Sequence, residues 1–186
     1  NGLGKKLIAV IVDGQKGKAY RLPSDEEKKS AKVNKDDIDQ QLIPQEQMLK
    51  ISDLVSGRGW GVNNWSDLFT NRQLFMIQTM IKKLNKIKNY LKVTESDYGK
   101  SIATYLAILL DRIAVANTSF GIWHTSRETL ERPMGRQAIP MVFDFPESNP
   151  FCSSTGSAEN HISWIIRYIN SESENFVATI CNNAAS

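Results

Sequence analysis

Leu74, Ile77, Ile81, Leu84, Ile87 and Leu91 return at helical spacing, and Thr70 with Gln73 sets a capping-box pattern in front of them. A hydroxyl at Thr70 satisfies a free N–H of the first turn, and the apolar stripe that follows must be buried against a partner. The next segment offers one. Thr94 with Asp97 repeats the cap pattern, and Ile102 to Ala116 is apolar almost all round, as expected of a helix covered on several sides. Two long helices joined by a short link predict an antiparallel helical hairpin.

Around that hairpin the elements are shorter. Leu7 to Val12 is a β-branched run, and after Asp13-Gly14-Gln15-Lys16-Gly17 the segment Lys18 to Leu22 is placed to return beside it. Pro23-Ser24-Asp25-Glu26-Glu27 opens a polar helix with a capping residue and first-turn acids, and with little apolar face to bury. From Gln40 to Asn64 the pattern is that of a loop, with Pro44 and the glycines Gly57, Gly59 and Gly61 bracketing Arg58 and Trp60; Ser56 to Trp65 reads as flexible. Gly121 to Arg136 reads as irregular, Ala138 to Phe143 as a short strand and Asp144 to Pro150 as a turn-rich loop. Ser157 caps a helix carrying Ile162, Ile165, Ile166 and Ile169, and Phe176 to Cys181 reads as a final strand. The fold class expected is α+β and mainly helical, with short strands near the ends. Residues 1–64 form an N-terminal region of hairpin, polar helix and loop, and residues 65–186 a helical core.

Composition removes several function classes. The formal net charge of +3 is compatible with nucleic acid but falls short of a dedicated DNA-coating protein. Cys152 and Cys181 lack the paired spacing of a zinc site and are too few for a secreted disulfide scaffold, which points to a reducing, cytoplasmic compartment. The longest apolar run, Ile102 to Leu110, is broken by Thr104 and closed by Asp111-Arg112, short of the roughly 18 residues of a membrane span. Phosphate-loop, nucleophile-elbow and dinucleotide-binding motifs are missing from the sequence. The first residues, Asn1-Gly-Leu-Gly-Lys-Lys, and the last, Ile180-Cys-Asn-Asn-Ala-Ala-Ser, read as cut from a longer protein.

Four clusters are candidates for chemistry. Lys82, Lys83, Lys86, Lys88 and Lys92 lie on the polar side of the first long helix with no interleaved acid, where they are either a phosphate track or an ordinary solvated face. Trp123-His-Thr-Ser-Arg-Glu128, with Arg132 and Gly135-Arg-Gln137, concentrates Arg127, Arg132 and Arg136 in irregular chain; arginine forks suit phosphates and guanine edges, or else cap helices and pair with Asp111, Glu128 or Asp144. Arg58 and Trp60, with Asn63, Asn64 and Trp65, offer a cation and an aromatic face to an unstacked base, or pin a loop to the core. Asp144 and Glu147, with His124 and His161 as the histidines, would need a pocket that separates their pKa values to act as acid and base. Neither a metal site nor a catalytic set emerges.

Trp65-Ser-Asp-Leu-Phe-Thr-Asn-Arg-Gln-Leu74, Ala103-Thr-Tyr-Leu-Ala-Ile-Leu-Leu-Asp-Arg112, Trp123-His-Thr-Ser-Arg-Glu128 and Gly135-Arg-Gln-Ala-Ile-Pro-Met-Val-Phe-Asp-Phe-Pro-Glu-Ser-Asn-Pro-Phe151 follow one another in order. The series resembles the large prokaryotic adenine-specific DNA methylases that also carry a zinc ribbon; Tyr20-Arg-Leu-Pro23 resembles their upstream part more weakly. In that family a glycine-rich S-adenosylmethionine motif lies upstream, and an Asp-Pro-Pro-Tyr catalytic motif downstream, of the matched region. Neither occurs here, and Asp144-Phe-Pro-Glu147 lacks the second proline and the aromatic of that motif. Phe176 to Ser186 resembles the strand and turn leading toward it.

The resemblance implies an internal region of an S-adenosylmethionine-dependent adenine N6 methyltransferase, inactive and without cofactor by itself. The segment between the two motifs often recognises the target, since the flanking DNA must be held while one adenine is extruded. Arg58, Trp60, Arg127, Arg132 and Arg136 are the expected DNA contacts on residue chemistry, with Lys82, Lys83 and Lys86 as a weaker phosphate track. DNA and the remainder of the parent enzyme are the expected partners, and a homo-oligomer is allowed. The competing expectation is a scaffolding or assembly module without DNA contact, favoured by the near-continuous apolar helix.

Overall fold

The computed structural model describes residues 4–48, 62–92, 96–131, 133, 142–153 and 155–175. Among these, β1 (Val10–Gly14) and β2 (Gly17–Arg21) form an antiparallel hairpin, α1 covers Asp25–Ser30, α2 Asn71–Tyr90 and α3 Asp97–Ala116. A second antiparallel hairpin joins β3 (Ile122–His124) to β4 (Thr129–Glu131), and α4 covers Ala158–Asn175. The class is α+β and mainly helical.

The first hairpin forms where the sequence places it, but the strand begins at Val10 and runs on through Asp13 and Gly14 rather than spanning Leu7 to Val12. Gly14 pairs with Gly17, leaving Gln15 and Lys16 as the loop, and Gly17 closes it at φ 125°, a conformation that suits a residue without a side chain. α1 starts on a complete capping box, Ser24 Oγ accepting from the Glu27 N–H and the Glu27 carboxylate from the Ser24 N–H; it buries nothing. The guanidinium of Arg21 grips the same carboxylate with two hydrogen bonds, of 2.7 and 2.6 Å. These donors, Arg21 first and Ser24 next, lower the Glu27 pKa from 4.5 to about 2. A depressed carboxylate stabilises the fold above its ordinary pKa, and that contribution fades as pH falls from about 4.5 to about 2. An NMR titration of the Glu27 carboxyl is therefore expected to give a midpoint near 2 that moves up toward 4.5 in Arg21→Ala; an unmoved midpoint would remove Arg21 as the cause.

α2 begins at Thr70, with the Thr70–Gln73 box formed in both directions. Its inner face buries Gln73, Leu74, Ile77 and Gln78. Leu74 packs with Ile38 and Ile43, and Met48, Leu68 and Phe120 form a second cluster; Phe69 touches both. The Gln78 amide bridges the backbone of the preceding segment, accepting from Asp39 N–H at 2.7 Å and donating to Asp37 C=O at 2.8 Å. Gln47 pairs with Asn64 in an isolated bridge, and Met48 N–H donates to Asn63 C=O at 2.9 Å. The packing thus crosses position 64.

α3 packs on α2 and α4 packs on α3. The cap of α3 is Ser96, whose hydroxyl accepts from Gly99 N–H, and not Thr94, which lies outside the described residues. The helix is covered by α2 and α4, but Ile108 and Val115, on one side of it, remain 42% and 37% exposed. Gly121 to Arg136 is not wholly irregular, because Ile122 pairs with Glu131, Trp123 with Leu130 and His124 with Thr129. Ser157 is fully buried and caps α4 through the Asn160 N–H, as its sequence indicates. Of the expected strand at Ala138 to Phe143, Val142 and Phe143 are irregular and the rest lies outside the described residues, as does Phe176 to Cys181.

Candidate nucleic-acid interface

Lys82, Lys83 and Lys86 stand on the exposed C-terminal half of α2, beyond the turns that bury Gln73 to Gln78. Lys82 is partly neutralised by Asp39, 3.8 Å away. Lys83 and Lys86, one turn apart, face solvent with no ion pair among the described residues. The solvated-face and phosphate-track readings both fit this geometry, but the charge on show is smaller than the sequence suggests by the one pair.

Arg127 projects from the turn between β3 and β4, exposed and, among the described residues, without an ion pair to Asp111, Glu128 or Asp144. The turn is fixed from two sides. His124 Nδ1 accepts from the Arg127 N–H at 3.2 Å and lies 3.2 Å from Ser126 Oγ, while His124 Nε2 is 3.8 Å from Glu131. Glu128 adopts a left-handed backbone, φ 49°, which costs a residue with a Cβ about 1 kcal/mol. Its carboxylate accepts from Tyr20 Oη at 3.0 Å, and the Tyr20 ring meets Trp123 edge-on with centroids 6.4 Å apart. Desolvation first, and the bond to Glu128 next, push the Tyr20 phenol above its ordinary pKa. Arg58, Trp60, Arg132 and Arg136 lie outside the described residues, so the arginine cluster is represented by Arg127.

No family model, curated protein or solved structure matches the chain.

Of the carboxylates singled out by sequence, Glu147 has a structural role. Glu147 accepts from Thr70 Oγ1 at 3.1 Å and pairs with Arg72, tying the 142–153 loop to the start of α2. Lys5 joins this junction, donating to Phe69 C=O at 3.2 Å with its ammonium 5.9 Å from the Phe145 ring centre. Burial lowers the Lys5 pKa against the opposing pull of Glu147 and Asp67. His161 Nδ1 accepts from Arg112 Nε at 3.4 Å, linking α4 to α3. Among the described residues no three of His, Cys, Asp and Glu gather as metal ligands, and no helix is long and apolar enough to cross a membrane.

Sequence reasoning missed Tyr20, Trp123 and Glu128 as partners. The available signal was the pair of short runs Ile122-Trp-His and Thr129-Leu-Glu flanking four polar residues, a hairpin pattern without the usual glycine or asparagine.

Proposed function

We propose that this chain is an internal, DNA-facing region of an adenine N6 DNA methyltransferase, whose methyl donor and catalytic residues come from other segments of the parent. The family resemblance supplies the enzyme class. The observation that carries DNA contact is the uncompensated pair Lys83 and Lys86 on the solvent side of α2. Cations left unpaired at a surface favour a polyanion by releasing its condensed counterions. Arg127 adds a guanidinium on a braced turn, and Arg58, Trp60, Arg132 and Arg136 are proposed to extend the surface. In this reading α2 and α3 run antiparallel, since only the short link 91–96 joins them, and hold the charged face rigidly.

Duplex binding followed by fluorescence anisotropy at several salt concentrations tests it. Wild-type affinity is expected to fall steeply with salt, and Lys83→Gln with Lys86→Gln to reduce the log–log slope by about 0.9 for each phosphate that is no longer neutralised. Arg136→Ala is expected to weaken binding without loss of folding. No binding by a folded sample removes the proposal.

A second reading has its own support. Ile108 and Val115 on α3, with Trp164 and Ile166 on α4, are large apolar side chains left exposed, as expected of a scaffold that docks on another subunit. A dimer that forms with rising concentration and lacks DNA affinity would favour this reading.

A further inference from the structure

The turn of the β3–β4 hairpin lies against β2. A Cβ built on Gly17 would lie 3.9 Å from Glu128 Oε2, while Glu128 Oε1 receives the Tyr20 hydroxyl. One carboxylate therefore faces β2 with both oxygens, and Lys16 and Lys18, which flank Gly17, and Arg127, which precedes Glu128, are each one residue along the chain from that contact. Lys18 is held by Asp13 at 3.0 Å; Lys16 and Arg127 are exposed without an ion pair among the described residues.

The β1–β2 ribbon itself buries no residue: Val10 and Lys18 are half-buried and the other eight strand residues are exposed. A two-stranded ribbon without a buried face is marginal in water, and this one is tied to the second hairpin by Tyr20. Such a ribbon has the width that the major groove of duplex DNA admits. Its loop presents Gln15 and Lys16, an amide suited to a base edge and a cation suited to a phosphate.

We propose that the β1–β2 loop and the β3–β4 turn held against β2 form one duplex-DNA contact, in which the loop enters the major groove and Lys16 and Arg127 each meet a backbone phosphate. Tyr20 and Glu128 are positioning residues that hold the two cations in register. This contact uses none of the α2 lysines, and the inference rests on the DNA-binding reading above.

The test measures duplex binding by the full chain across salt concentrations. Lys16→Gln with Arg127→Gln is expected to flatten the log–log salt slope by about 0.9 for each phosphate that is no longer neutralised. Tyr20→Phe keeps every charge and the aromatic ring but removes the bond to Glu128; it is expected to weaken binding several-fold and to bring the slope toward that of Arg127→Gln. Near-UV circular dichroism, to which Trp123 contributes with the three other tryptophans, checks that each variant retains its aromatic packing. If the wild type does not bind, the DNA reading fails and takes this inference with it. If the wild type binds and its slope responds to Lys83→Gln and Lys86→Gln but not to the Lys16 and Arg127 pair, the DNA reading stands and the hairpin contact is overturned. An effect of the charge pair without one from Tyr20→Phe overturns the positioning role.

Discussion

Leu68→Ala is expected to lower the unfolding free energy by about 3 kcal/mol, the middle of the range for a buried leucine whose cavity only partly collapses. Leu68 is 2% exposed and packs with Met48 and Phe120, so one side chain joins three parts of the chain remote in sequence. Its carbonyl also accepts from both the N–H and the hydroxyl of Ser119, at 2.7 and 2.9 Å. Those bonds fix the wall of the site, so the cavity has little freedom to close. Urea unfolding followed by far-UV circular dichroism measures the loss, with Leu22→Ala as the comparison. Leu22 is 81% exposed, and its truncation is expected to change stability by less than about 0.5 kcal/mol. Equal shifts in the two variants would mean that the Met48, Leu68 and Phe120 cluster is not part of the cooperative core.

The parts of this fold legible in the sequence are those whose causes are local. The Thr70–Gln73 box and the period from Leu74 onward give α2, Ser157 gives the start of α4, and Gly14 and Gly17 give the first turn, because each signal acts within a few residues. The second hairpin escaped because its turn substitutes side-chain acceptors for glycine: His124 Nδ1 takes the Arg127 N–H, and Glu128 tolerates φ 49° with Tyr20 bound to its carboxylate. Tyr20 and Glu128 are separated by 108 positions, so no periodicity or motif links them. The composition of α3 shows that Ile102 to Ala116 is apolar almost all round, but not what covers it, and Ile108 and Val115 stay exposed. The charge of the candidate interface was readable at Lys83, Lys86 and Arg127; its reduction at Lys82, through Asp39, depends on a fold-level contact.

Gln78 carries the second large effect. It is 2% exposed, on the inner face of α2, where a glutamine looks misplaced until its amide is followed to Asp39 N–H and Asp37 C=O. Gln78→Ala strands one donor and one acceptor, both in part-buried bonds and so toward the low end of about 1–3 kcal/mol each, and is expected to cost about 2–4 kcal/mol in urea unfolding. Gln78→Glu separates the two bonds. The carboxylate keeps an acceptor for Asp39 N–H but loses the donor to Asp37 C=O and places a buried charge near two aspartates. Burial raises the pKa of such a group, so its stabilising form is the protonated one, which regains an O–H donor; that contribution is present below the ordinary glutamate pKa and lost as pH rises through the raised value. The deficit of Gln78→Glu is therefore expected to be larger at pH 7 than at pH 4.5, whereas that of Gln78→Ala stays constant between them; a pH-independent deficit in both would rule out the amide bridge as the cause. The bridge also sets the charge of α2. Gln78 fixes the Asp39 backbone one turn before Lys82, and the Asp39 carboxylate then lies 3.8 Å from that lysine. Loosening the segment by Gln78→Ala frees Lys82 from its partner, and at low salt any DNA affinity that runs through α2 is expected to rise even as the fold weakens, a pairing of opposite effects that a purely structural glutamine would not produce.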